Sequence, residues 1–298
     1  MTDHNHVSLR SAAKLNLHLE VLREREDGFH EIETIMQTVK MFDYISMTLT
    51  DYDAIEVGIT VFPATAAPAD GTNLCCRAAN HFMKSMKKTG TISIDLKKHI
   101  PAEAGLGGGS GNAAAVLVGC NKLFNTNLSN GELEKMAAEL GSDIPFFIEG
   151  GTQLARGIGT ELTPLHPIDD CLFFIMKPEV NISTTEVYSA LNMGLTVRAP
   201  LVNIRNVKAL LTRFPSDSWF GINRLEDVVV PRNSMLQDKL YELRENEPVV
   251  MMTGSGSALY VAYRDKGHLD DFIEEFLDDS WFLAEVSPHT SGVEFMDE

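Results

Sequence analysis

Between Pro101 and Leu117 the chain reads PAEAGLGGGSGNAAAVL, and five of the seven residues from Gly105 to Gly111 are glycine. A polar, strand-like segment (Thr91 to Lys97) leads into this run, and an alanine-rich, helix-favouring stretch follows it. Glycine turns the backbone through conformations closed to other residues, so several N–H groups can converge on one point. The helix behind would aim its unpaired N-terminal N–H groups and the positive end of its dipole at the same point. Strand, glycine turn and helix in that order make a device for holding phosphate. The same composition also suits a flexible surface loop, so the decision rests on the rest of the chain.

At 298 residues, 44% of them hydrophobic, the chain has material for two domains or one large α/β domain. Its net charge of −17 argues against a nucleic-acid surface or an anionic membrane as partner, since both call for the opposite sign. Phosphate binding by so acidic a protein would need local donors and a metal. No apolar run is long enough to span a bilayer, and Met1 to Lys14 holds no hydrophobic signal region, so a cytoplasmic protein is expected. Cys75, Cys76, Cys120 and Cys171 lack CxxC spacing and read as reduced thiols, with no metal site.

Residues 7 to 22 alternate, with Leu15, Leu17, Leu19 and Val21 on one side and Asn16, His18 and Glu20 on the other, the pattern of a half-buried strand. A turn at Asp27-Gly28 leads into extended structure from Phe29 to Met47, and residues 44 to 62 suggest two further strands. Helical spacing covers Asn73 to Lys87, Asn112 to Phe124 and Ser129 to Leu140, the last opening on a capping box of Ser129 and Glu132. In the C-terminal half, helices are expected near 184–191, 204–212, 232–244 and 266–277, and strands near 249–252, 257–263 and 281–287. This mixture lacks strict βαβ alternation and favours an α+β, two-layer architecture without internal repeats.

The Walker A pattern fails because no Lys follows the glycines, and GxGxxG fails because its last position, counted from Gly105, is Ser110. What stands there, P-x-x-x-G-L-G-G-G-S-x-x-A-A, resembles the phosphate-binding signature of the GHMP kinase superfamily. Two more segments agree with it. The turn Met252-Thr253-Gly254-Ser255-Gly256-Ser257 looks like the superfamily's C-terminal motif, although read alone it suits an ordinary hairpin. Gly141-Ser142-Asp143-Ile144-Pro145-Phe146-Phe147 carries an Asp that would otherwise be a solvated loop carboxylate.

The N-terminal segments Ala13-Lys14-Leu15-Asn16-Leu17 and Arg25-Glu26-Asp27-Gly28-Phe29-His30-Glu31-Ile32-Glu33-Thr34 narrow the resemblance to the 4-diphosphocytidyl-2-C-methyl-D-erythritol kinase family. Its likeness spans most of the chain, through GIGTEL and Asn223-Arg224-Leu225-Glu226 to TGSGS. Three departures stand out: Gly111 in place of a second Ser, Phe29 where Tyr is common, and Arg224 where an Asp often follows the Asn.

The resemblance implies an α+β, two-domain GHMP kinase fold. Residues 1–160 would form an N-terminal domain like domain 2 of ribosomal protein S5, and 161–298 a ferredoxin-like C-terminal domain. It further implies ATP-dependent phosphorylation of the 2-hydroxyl of the diphosphocytidyl substrate, with Mg²⁺, on the non-mevalonate route to isoprenoids. Asp143 would be the catalytic base and Lys14 the cation beside it. Asn16 would orient the methylerythritol hydroxyls, and Phe29 and His30 would read the cytosine. Pro101, Gly105, Leu106, Gly107, Gly108, Gly109, Ser110, Gly111 and Asn112 would hold the ATP phosphates, and Asn73 and Lys97 would lie near the adenine. The partner would be a small molecule with a cytidine diphosphate group, with no nucleic acid or membrane, and the protein a monomer or weak homodimer. A homoserine or mevalonate kinase would share the loop but has no use for the Phe29-His30 pair. A non-catalytic nucleotide binder of this fold should have lost Lys14 or Asp143.

Overall fold

The alternation near the N-terminus becomes two long antiparallel strands, β1 (His6–Glu24) and β2 (His30–Thr50), joined across a turn in which Arg25 N donates to Phe29 O. The computed structural model describes residues 5–50, 55–168, 170–191, 207, 211–216, 219, 221–247, 249–264 and 281–297. The helix expected near 204–212 lies almost wholly outside these residues, and the one near 266–277 entirely so.

Then come β3 (Ile55–Phe62), α1 (Leu74–Ser85), β4 (Gly90–Lys97), α2 (Gly108–Leu123), α3 (Asn130–Ala138), α4 (Ile144–Glu149), β5 (Thr152–Gly157) and β6 (Glu161–Pro164). The rest supplies β7 (Leu172–Lys177), α5 (Thr184–Ala190), α6 (Glu226–Val229), α7 (Ser234–Asn246), β8 (Val250–Met252), β9 (Leu259–Tyr263), β10 (Phe282–Val286) and β11 (Val293–Phe295). No helix among the described residues is long and apolar enough to cross a membrane.

Two sheets carry the molecule. The first runs β11-β1-β2-β4-β3, with β5 also on β2 and β6 on β5; the second runs β10-β7-β9-β8. Strand β2 is long enough to serve two neighbours, pairing Ile32 to Gln37 with β5 and Tyr44 to Thr50 with β4. Among the described strands, β3 and β4 are the pair that run parallel, and their connection carries α1. This is the α+β arrangement expected. A division at residue 160 is a proposal of ours; β6 and β11 lie beyond it yet bond into the first sheet.

Strand β1 is not half-buried as its alternation suggested: every residue from Ala12 to Leu22 is buried. Leu9 packs with the helices over the first sheet, whereas Leu15 and Leu17 pack with Phe173, Ile175 and Tyr260 of the second. The polar side chains between them are therefore enclosed too, and each must find partners inside the protein.

Helix α2 begins at Gly108, four residues before the expected start. Glycine has poor helix propensity, but here close packing outweighs it. A Cβ on Gly111 would lie 3.1 Å from Ala12 O, so the helix could not sit this close to β1 with a larger residue there. Helix α3 carries its capping box, with Ser129 N donating to Glu132 Oε2 at 2.8 Å. Gly131, in its first turn, has nothing within 4 Å of a would-be Cβ. Gly131→Ala should therefore stabilise the fold by about 0.5 kcal/mol. A urea midpoint unchanged or lowered in the variant would contradict this.

Candidate active site

A cavity of about 980 Å³ opens where β1, the glycine loop, α5 and the turn before β9 meet. Gly105 (φ +73°) and Gly107 (φ +72°) both hold the left-handed conformation that favours glycine. Gly107 caps α2, whose first intrahelical bond runs from Gly111 N to Gly107 O. The N–H groups of Gly108, Gly109 and Ser110 thus have no intrahelical acceptor and stand at the cavity wall. An anion placed there meets three donors and the positive end of a 16-residue helix.

The loop is locked from two sides. Lys14 N donates to Leu106 O at 2.9 Å, joining it to β1. Ala258 N donates to Ala104 O at 3.2 Å, and Thr253 Oγ1 to Gly105 O at 3.3 Å, joining it to the second glycine turn. That turn is held in place by Asn223, whose Nδ2 donates to Met252 O and Gly254 O, each at 2.7 Å. The two glycine-rich segments, some 150 residues apart, therefore form one wall.

Lys14 is 3% exposed and its ammonium donates to Asn16 Oδ1. Burial pushes its pKa below the ordinary lysine value, and the negative charge of Asp143 pulls it back up. Asp143 directly precedes α4 and lines the same cavity. Phe29 (56% exposed) and His30 lie on another stretch of wall. Tyr188 of α5 brings its ring centroid within 5.3 Å of His30's at a 45° tilt, and Phe29 lines the same cavity. Burial, with Asp143 nearby, raises the Tyr188 hydroxyl pKa, so it stays protonated at neutral pH.

Of the residues expected at the base, substrate and phosphate positions, the structure places all but one on this cavity: Lys14, Asn16, Phe29, His30, Pro101, Gly105, Leu106, Gly107, Gly108, Gly109, Ser110, Asn112 and Asp143. Gly111 is the exception, since it faces β1 instead. Asn112 reaches the wall but is committed elsewhere: its Oδ1 accepts from Ser11 Oγ at 2.7 Å and ties α2 to β1. Asn73 lines the cavity while capping α1, its Oδ1 accepting from Cys75 N. Lys97 is exposed and off the wall; Lys98 lines it instead, paired with the buried Asp43. Tyr188, Thr184 and Ser255 also line it, the last two bonded through their hydroxyls at 2.7 Å. No motif marked Tyr188 or Thr184, because α5 reaches the site through tertiary packing, whereas Ser255 belongs to the second glycine turn.

An anion cradle at a glycine-capped helix, closed by a second glycine turn on this two-sheet fold, defines the GHMP kinase class. Residues 73–151 match the family model for the GHMP kinases N terminal domain. Homoserine kinase from Cytophaga hutchinsonii shares the fold, with TM-score 0.74 and 15% identity over 99% of both chains. Within the class, a 4-diphosphocytidyl-2-C-methyl-D-erythritol kinase of Caldicellulosiruptor saccharolyticus is 37% identical over 87% of this chain and 88% of its own length. The corresponding kinase of Clostridium perfringens is 33% identical, with 87% and 89% covered. A crystal structure of 4-(cytidine 5'-diphospho)-2C-methyl-D-erythritol kinase superimposes with TM-score 0.75 and 27% identity, covering 94% of this chain and 99% of its own. The chain belongs to the 4-diphosphocytidyl-2-C-methyl-D-erythritol kinase family.

Proposed function

We propose that this chain transfers the γ-phosphoryl group of ATP to the 2-hydroxyl of 4-diphosphocytidyl-2-C-methyl-D-erythritol, giving the 2-phosphate and ADP in the methylerythritol phosphate pathway. One observation supports it most: a single cavity is lined by the glycine cradle, the Lys14 and Asp143 charges and the aromatic side chains of Phe29, His30 and Tyr188. A homoserine or mevalonate kinase has no use for the aromatic group, and a non-catalytic binder has none for the charges.

The N–H groups of Gly108, Gly109 and Ser110 hold phosphate oxygens and set the reacting phosphoryl group in place. A tertiary hydroxyl is a poor nucleophile at neutral pH. Asp143 accepts its proton as the oxygen attacks. Lys14 offsets the charge that builds on the phosphoryl oxygens. Asn16 helps fix the geometry of Lys14, and Phe29, His30 and Tyr188 hold the cytosine by stacking and polar contact.

No three His, Cys, Asp or Glu side chains gather into a metal cage among the described residues. The donor set therefore suits a Mg²⁺ ion carried by the ATP phosphates, with the Ser110 hydroxyl at hand as a protein oxygen. Such an ion supplies charge neutralisation on the phosphates.

Purified protein with Mg-ATP, offered the diphosphocytidyl substrate, homoserine and mevalonate in turn, should release ADP only with the first. Turnover confined to either of the others would overturn the reading. Phe29→Ala should raise KM for the cytidyl substrate about tenfold, the loss of one stacking face, with KM for ATP near its original value. An effect on ATP alone would take Phe29 out of the cytosine site.

A further inference from the structure

Three buried side chains beneath the cavity form a hydrogen-bonded chain whose direction is set at one end. Lys14 Nζ donates to Asn16 Oδ1, Asn16 Nδ2 donates to Thr34 Oγ1 at 2.8 Å, and Thr34 Oγ1 donates to the His18 carbonyl at 2.7 Å. Lys14, Asn16 and Thr34 are only 2 to 3% exposed, so their polar atoms depend chiefly on partners within the protein. A hydroxyl has one hydrogen, and a backbone carbonyl can only accept. With its hydrogen spent on His18 O, Thr34 can offer Asn16 only an acceptor. The amide must then turn its NH2 to Thr34 and its carbonyl to Lys14.

We propose that Thr34 is a positioning residue, fixing the Asn16 amide so that its carbonyl holds the Lys14 ammonium charged at the reaction centre. The inference rests on the kinase reading for its effect on turnover, but not for its effect on Lys14. The ionisable group facing Lys14 is Asp143. Gly107 and Gly254 also pack on it, and neither titrates. Burial works against the charge on Lys14, so it depends on these two supports, the Asp143 carboxylate and the Asn16 carbonyl.

Thr34→Val keeps the branched shape and removes the hydroxyl, leaving the buried amide NH2 unpaired and free to turn. Losing an acceptor for a charged donor disfavours the protonated form. The high-pH limb of kcat should move about one pH unit lower, and kcat at pH values above that limb should fall about tenfold with KM for ATP little changed. Thr34→Ser, which keeps the hydroxyl, should restore both.

The direct readout is the titration of Lys14 in protein labelled at lysine Cε with ¹³C, its signal identified by its loss in Lys14→Met. That titration should fall in Thr34→Val and return in Thr34→Ser. An unchanged Lys14 titration in Thr34→Val, or Thr34→Ser behaving like Thr34→Val, would overturn the proposal. Should Thr34→Val fail to fold, Thr34→Ala decides: it also removes the hydroxyl, so the Lys14 titration should fall, and an unchanged titration would overturn the proposal. Absence of turnover by the unsubstituted protein would sink the kinase reading, while the Lys14 titration would still judge Thr34.

Discussion

Asp143→Asn should lower kcat by about a thousandfold while leaving ATP affinity within about twofold. The substitution keeps the shape of the side chain and the start of α4, but an amide cannot take up the substrate's proton. Another group on the wall could be imagined in its place, and Tyr188 is the one nearest in chemistry. Its hydroxyl, however, holds its proton more firmly than an ordinary tyrosine, because it is buried and faces Asp143. A tyrosine that stays protonated is no base. Lys14 is excluded by its role as the cation that Asp143 sustains. Single-turnover rates with saturating substrates, beside calorimetric titration of a non-hydrolysable ATP analogue, separate the two effects. Near-normal turnover would remove Asp143 from the base role, and a matching loss of nucleotide affinity would make it a binding residue.

What could be read from sequence depended on whether function or packing had chosen the residue. Lys14, Asn16, Phe29, His30 and the glycine loop sit in segments whose order is set by chemistry, and they meet on one cavity. Gly111 looked like part of the phosphate shell because it lies in the same run, yet it is the residue that lets α2 approach Ala12 of β1. Spacing along a chain cannot separate a glycine that frees an N–H from one that makes room for a neighbour. Arg224 had no reading from sequence. In the fold it donates to both oxygens of the buried Glu20 carboxylate, at 2.8 and 3.0 Å, and to Asp227 at 2.9 Å. An acidic residue there would have faced Glu20 with like charge. The strand β1 misled for a related reason: alternation reports two chemically different faces, not whether the polar face meets water. Here that face lines a site and its network and is buried, while Leu15 and Leu17 on the other face pack on the second sheet.

Gly105→Ala should cost about a hundredfold in ATP affinity and visibly lower the unfolding temperature. Two penalties combine. At φ +73° an alanine is held in the left-handed region, which costs about 1–2 kcal/mol. The larger one is steric, since the new Cβ would fall 1.9 Å from Thr253 O and 3.1 Å from Gly256 N. Relief requires one of the two glycine segments to move. The second turn cannot move cheaply, because Asn223 holds Met252 O and Gly254 O and the Thr253 hydroxyl accepts from Asn16 N at 3.1 Å. The strain must therefore displace the phosphate loop itself, taking the N–H groups of Gly108, Gly109 and Ser110 out of convergence. Gly109→Ala is the control for stability: its Cβ would sit 3.7 Å from Leu74 Cδ1, ordinary contact, in helical backbone. It should unfold at or slightly above the original temperature. If Gly105→Ala instead bound the ATP analogue within a few-fold of the unsubstituted chain, the packing of the two glycine turns would not be what sets the cradle.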